Sequence, residues 1–238
     1  MVDMPTLREM LDAGVHFGHK TSRWSPKMAP YIFMAKSGVH VINLEKTEEK
    51  LKEALDFLTE AAKENKAIVF VGTKKQSQAI IKTAAEENGI AYINERWLGG
   101  TLTNYDVIRA AIARYKKQLA TISDKELRMS KTELSRLRKE AVRGEKLFGG
   151  LVGLDRKPEV LVLFGAHDEQ NALKEAENQG IKVVALCDTN ADPTEIDYPI
   201  PANDDATKSV TLLANFLAKA IGGSKPAPAK GVEAAEGK

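Results

Sequence analysis

The 238-residue chain has a single cysteine, two tryptophans, four histidines and only 6% aromatic residues. With Cys187 alone, no internal disulfide framework can form, and such a chain suits a reducing compartment. The run Val183-Val184-Ala185-Leu186-Cys187 makes it a buried structural thiol rather than a reactive one. No stretch approaches the roughly 20 apolar residues that cross a bilayer. The N-terminus lacks the basic-then-apolar pattern of an export signal, so a cytoplasmic protein is expected. Net charge is scarce too, at +2 with a pI near 8.5, and that total alone points to no polyanion. No Gly-x-Gly-x-x-Gly follows a strand, and no Gly-Lys-Ser/Thr ends a glycine loop. No Ser/His/Asp or Cys/His grouping is visible either, which leaves triad and cysteine-nucleophile chemistry without a signature.

Apolar patterning is plentiful, at 43% of residues. Buried-strand runs at Val39–Leu44, Ala67–Val71, Val160–Phe164 and Val183–Cys187 alternate with amphipathic helices, which predicts an α/β fold with a parallel sheet. Thr47 is expected to cap the first long helix, and Asn203-Asp204-Asp205 the last. The prolines of Tyr198-Pro199-Ile200-Pro201 restrict it to an edge strand. Residues 16–33 have two prolines and no period, and read as an irregular loop or extended arm. From Gly222 onward apolar content vanishes and a disordered tail is expected. The implied division is a sheet domain over 1–103 and 149–221 with an arm at 1–38, a helical insertion at 104–148, and the tail 222–238.

The insertion carries its own pattern. Ile108, Ile112, Tyr115, Leu119 and Ile122 recur at spacings of four and three, as an a/d seam does. Ser123-Asp124-Lys125-Glu126 has capping-box form and is expected to start a second helix with Leu127, Leu134, Leu137 and Ala141. The result would be an antiparallel coiled-coil hairpin. It holds twelve basic and six acidic residues, whereas 151–238 has more acids than bases. The near-neutral total thus conceals a basic lever and an acidic half.

Two stretches sit where strands end, the edge at which open α/β sheets bind ligands. They are Gly72-Thr73-Lys74-Lys75-Gln76 and Asn94–Asn104, with Arg96-Trp97 and two glycines. Positive charge, glycine and hydroxyls suit a phosphate-rich partner, and an RNA phosphate fits the first loop better than a nucleotide. In the arm, Lys20, Arg23, Lys27 and Lys36 interleave with Phe17, Trp24, Tyr31 and Phe33, pairing cations with rings. Trp24 is balanced between stacking on a base and packing, and the other three rings are expected to pack. Arg109, Arg114, Arg136, Arg138 and Lys139 extend the basic set along the hairpin. Asp188, Asp192, Asp204 and Asp205 fall near strand ends, with His16 within reach. The simplest reading is that Asp188 and Asp205 cap turns. Next comes one structural Mg²⁺ or Zn²⁺ held by His16, Asp188, Asp204 and Asp205, and then a receiver-like phosphate enzyme using Asp188 and Asp205. A coiled-coil protein adaptor is a further alternative.

The segments Ala13–His19, Arg23–Met28, Pro30–Phe33, Phe70–Lys74, Asn94–Asn104, Asp188–Pro193 and Ile200–Asp205 closely resemble the bacterial small-subunit ribosomal protein S-two family. The likeness runs in order over about residues 5 to 221. It implies a flavodoxin-like doubly wound sheet with an inserted antiparallel coiled-coil hairpin. It further implies binding of 16S ribosomal RNA between head and body of the small subunit, docking of ribosomal protein S-one beside neighbouring proteins, no required cofactor, no small-molecule substrate and no catalysis.

Overall fold

A computed structural model describes residues 4–123 and 130–224. The chain opens on a short helix, α1 (Leu7–Asp12), whose capping box pairs Thr6 with Glu9. Three short strands follow, β1 (Phe17–Lys20), β2 (Ile32–Lys36) and β3 (Val39–Ile42). They form an antiparallel sheet in the order β1-β3-β2. The arm is therefore strand and 3₁₀ turn, not irregular coil, and Val39–Ile42 belongs to this small sheet rather than to the parallel one. No period shows in the sequence because Pro26 and Pro30 break it into 3₁₀ turns and β2 carries a register shift between Ile32 and Met34. Ser37 and Gly38, at φ 52° and 76°, make the tight turn of the β2–β3 hairpin.

Helix α2 (Leu44–Lys63) begins a turn earlier than expected, with Asn43 accepting from the Glu45 N–H at 3.0 Å. Thr47 lies inside it, fully buried, and donates to the Pro201 carbonyl at 2.6 Å. Next come β4 (Ile68–Val71), α3 (Gln78–Glu87) and β5 (Ala91–Ile93), then α4 (Tyr105–Ser123) and α5 (Lys131–Phe148). The chain ends with β6 (Val160–Leu163), α6 (Gln170–Asn178), β7 (Lys182–Cys187), β8 (Tyr198–Pro201) and α7 (Thr207–Gly222). The five later strands pair in parallel in the order β5-β4-β6-β7-β8, with the proline-bearing β8 on the edge as expected. Counted within the sheet this is 2-1-3-4-5, the flavodoxin-like order, whose switch point lies between β4 and β6.

Period-two alternation divides the core. Ile68, Phe70, Val162, Val184, Leu186 and Ile200 face α2, α3 and α7. Val69, Val71, Leu161, Leu163, Val183 and Ala185 face α6 and the start of α4. Each strand is apolar on both faces because both are covered, and each buried Leu or Phe contributes about 1.5–3 kcal/mol.

The second long helix starts with Ser130 and Glu133 as its capping box, not at Ser123, which still belongs to α4. Both tetrads match the motif. Asp124, Lys125, Glu126 and Leu127 lie outside the described residues. Helices α4 and α5 touch through Tyr115 with Glu145 and through Gln118 with Glu140, so their sequence numbers run in opposite senses. The expected tail at 222–238 begins inside α7, which includes Gly222, and residues 225–238 lie outside the described set.

Candidate nucleic-acid interface

At the carboxyl edge of the sheet, β4 runs into Gly72. A methyl group there would stand 2.1 Å from Ile81 Cδ1 and 3.1 Å from Phe164 Cβ, so only glycine lets the turn pass beneath α3. The turn delivers Lys74 inward. Its ammonium lies 2.7 Å from Asp204, 2.9 Å from Asp205 and 2.9 Å from Asp168. Burial opposes that charge, but the three carboxylates outweigh it and raise the lysine pKa. Asp204 has no exposed surface. Burial pushes its pKa up to about 7 although Lys74 is beside it, because Asp188 and Asp205 add negative charge.

The imidazole at this edge is His19, not His16. His19 Nδ1 lies 3.0 Å from Asp188 and Nε2 3.3 Å from Asp205. The Asp188 carboxylate raises the His19 pKa against the effect of burial. Strand β1 carries His19 to the sheet edge, where its backbone N–H also donates to Thr189 Oγ1 at 2.8 Å. His16, three residues earlier, instead stacks its ring 4.0 Å from that of Phe17, and burial lowers its pKa. Among the described residues, no set of three or more His, Cys, Asp or Glu side chains is arranged to hold a metal ion. Of the expected His16, Asp188, Asp204 and Asp205 set, the aspartates meet around Lys74 and His19, and His16 is at ion-pair distance from none of them among the described residues. Lys74 stands where a cation would, and already takes the oxygens of Asp204 and Asp205. Asp188 does turn its carboxylate onto its own backbone, accepting from Thr189 N–H, whereas Asp205 caps nothing. The N-cap of α7 is Ala206, with no side-chain cap, and Asn203 closes the turn before it by accepting from the N–H groups of Asp205 and Ala206.

The loop from Asn94 to Asn104 is also closed inward. Trp97 is buried and its indole N–H donates to Glu175 at 3.1 Å. The backbone N–H groups of Gly100, Leu102 and Thr103 donate to the same carboxylate at 2.8, 2.9 and 3.3 Å. The donors expected to cradle a phosphate are therefore occupied by an acid of this chain. Sequence reasoning passed over Glu175, since a lone glutamate on an amphipathic helix reads as solvated surface.

The other cations do face outward. Lys20, Arg23, Lys36, Lys75, Arg96, Arg109, Arg114, Arg138 and Lys139 are exposed, with no carboxylate at ion-pair distance among the described residues. Lys27 pairs with Asp192 at 2.5 Å, and Arg136 with Glu140 at 3.2 Å. On α5, at about 100° per residue, Lys131, Arg136, Arg138, Lys139, Arg143 and Lys146 share roughly 160° of circumference. Glu133, Glu140 and Glu145 lie outside that arc, and Leu134, Leu137 and Ala141 lie on another side. Trp24 is 38% exposed, with its ring 5.0 Å from that of His40. Phe17 and Phe33, expected to pack, are 53% and 68% exposed. The bulge that places Phe33 out of register, and the edge position of β1, turn both rings to the surface. Tyr31 packs against the core as expected.

A family model described as ribosomal protein S2 matches residues 10–223. The chain belongs to the ribosomal protein S2 family. It is 43% identical over 217 residues to the small ribosomal subunit protein uS2 of Coprothermobacter proteolyticus, covering 91% of this chain and 81% of that one. It is 44% identical over 223 residues to the protein of the same name from Chloroflexus aurantiacus, covering 90% and 91%. S2 proteins are structural components of the small ribosomal subunit and not enzymes, which sets aside the receiver-like alternative for Asp188 and Asp205. Among the described residues, no helix is long and apolar enough to cross a membrane.

Proposed function

We propose that this protein binds 16S ribosomal RNA between the head and body of the small subunit and helps dock ribosomal protein S-one there, in the cytoplasm. The rigid body is the parallel sheet with its helices, together with the small antiparallel sheet of the arm, within the expected ranges 1–103 and 149–221. Helices α4 and α5 are the two arms of an inserted antiparallel coiled-coil hairpin that projects from it. The RNA contacts come from Lys20, Arg23, Lys27 and Lys36 of the arm, Lys75, Arg96, and the hairpin cations Arg109, Arg114, Arg136, Arg138 and Lys139. Lys74 contributes by holding the acidic edge together, and it makes a resident metal ion unnecessary.

One observation carries this reading: the cations of α5 gather on one side of an exposed helix, with Glu140, paired to Arg136, at its border. A merely solvated helix intersperses both signs, whereas a one-signed arc attracts a polyanion. Lysine and arginine read phosphate rather than base, so the fold of the RNA sets specificity. Trp24, exposed beside Arg23, is placed to stack on an unpaired base.

Co-sedimentation with small subunits at rising salt tests it. The full chain is expected to stay bound at moderate salt and to be released as salt rises, since each neutralised phosphate adds about 0.7–0.9 to the steepness of the log–log slope. Failure to sediment with subunits at any salt contradicts the reading.

A further inference from the structure

The loop that ends in Asn104 leads directly into α4, whose first residue is Tyr105. Its last turns are fastened to one carboxylate. Glu175 of α6 accepts from Gly100, Leu102 and Thr103 N–H and from the Trp97 indole, and Thr103 Oγ1 lies 3.4 Å away. Burial works against a charge at Glu175, but the donors overcome it and leave its pKa lowered. Trp97 and Leu102 lie in the same apolar cluster as Ile108 and Ile112 of α4 and Ala172 and Leu173 of α6.

The root of α4 is thus short. Its buried residues are Ile108, Ile112 and Tyr115, and the helix runs on to Ser123. A helix of 19 residues is about 28 Å long, so a rotation of about 10° at the root carries the far end about 5 Å. That displacement approaches the spacing of successive phosphates, and would put the α5 cations out of register.

We infer that Glu175 is a positioning residue: by gathering the 97–103 turns it fixes the direction in which α4 and α5 leave the sheet, and so where the α5 cations meet RNA. The consequence for RNA rests on the function proposed above. The consequence for helix direction concerns this chain alone.

Spin labels at Ala120→Cys on α4 and Lys208→Cys on α7, both exposed positions, report that direction in the full chain, with Cys187 buried and unlabelled. Glu175→Gln keeps the volume but turns an amide NH₂ toward N–H donors. Glu175→Asp keeps the charge on a shorter stem. The label distance distribution is expected to be narrow with glutamate, broad with glutamine and intermediate with aspartate. An unchanged distribution in a folded Glu175→Gln protein overturns the inference. If that variant does not fold, Trp97→Phe removes a single donor and must broaden the distribution to a smaller degree, or the inference fails.

Affinity for 16S ribosomal RNA is expected to drop about tenfold in Glu175→Gln, from diminished pre-organisation. Its salt slope should not change, because every phosphate-binding cation is still present. In a background carrying Lys139→Gln, Arg143→Gln and Lys146→Gln, the same change is expected to cost less than in the parent, since fewer α5 cations are left to misplace. An equal loss in both backgrounds overturns the proposed route. Broadened labels together with a parent protein that does not bind RNA would instead refute the RNA reading and leave the positioning role standing.

Discussion

Lys74 Nζ stands 2.7 Å from Oδ1 of Asp204, a carboxylate with no exposed surface. This pair is the centre of the acidic edge, joining the turn after β4 to the segment after β8. Removing the lysine leaves Asp204 buried among Asp168, Asp188 and Asp205 with no cation in contact, His19 being paired with Asp188 and Asp205. Lys74→Met is therefore expected to destabilise the fold by about 3–5 kcal/mol, the scale on which broken buried pairs act. Urea unfolding measures it, and a loss under about 1 kcal/mol, the scale of exposed pairs, would show the lysine to be peripheral.

The same cluster sets a pH dependence. The folded pKa of Asp204, about 7, lies above the ordinary aspartate value of 3.8, so its stabilising contribution is complete below 3.8 and fades as pH rises through 7. His19 is also raised, so its contribution is complete below 6.5 and is lost above that. Both have the same sign; His16, lowered by burial, has the opposite sign below 6.5, so the thermal midpoint is expected to fall most clearly between about pH 6.5 and about pH 8. Replacing His19 by Gln should flatten the upper part of that fall. A midpoint that rises over the interval would contradict the sign.

The two tryptophans are expected to separate. Trp97 fills the core, and Trp97→Ala should cost about 3–5 kcal/mol. Trp97→Phe, which removes mainly the indole donor to Glu175, should cost about 1–3 kcal/mol. Trp24→Ala should leave unfolding within about 0.5 kcal/mol, as surface changes do, while weakening RNA binding by about 1–3 kcal/mol if a base stacks there. Parallel denaturation and RNA titration decide between these outcomes.

Neutralising Lys139, Arg143 and Lys146 together should weaken RNA binding uniformly across RNA sequences. It should also lower the salt slope by about one unit for each of these cations that neutralises a phosphate. Their exposure predicts little change in stability, which thermal unfolding checks.

What the sequence made readable follows from periodicity. The apolar runs of β4, β6 and β7 are covered on both faces and show as unbroken hydrophobic stretches, so their parallel pairing could be anticipated. Of the five residues expected as a seam on α4, Ile108, Ile112 and Tyr115 are buried, the first two in the sheet's own core cluster, while Leu119 is exposed. The β1–β3 sheet was not legible, because its strands are short, bulged and separated by proline turns. Helix caps fall a turn or more from their expected places: Thr47 is claimed by the Pro201 carbonyl, and the Ser123 tetrad has a rival at Ser130, which closes its box with Glu133. The site differed most where polar groups meet across distant segments. Lys74 lies 130 residues from Asp204, and Glu175 lies 73 residues from Leu102. No local pattern announces that a basic loop residue will be taken by aspartates, or a glycine-rich cradle filled by a glutamate. The outward cations were legible because charge segregation is visible without a fold.

The central claim is that the one-sided cations of α5 lie against ribosomal RNA. A photo-crosslinking amino acid at Lys139, incorporated into the full chain and assembled into small subunits, tests this most directly. The expected result is crosslinks to nucleotides of 16S ribosomal RNA, with the same probe at Leu137, on the opposite side of α5, giving none. Crosslinks from position 139 to protein only, or to nothing, in particles that contain the protein would contradict it.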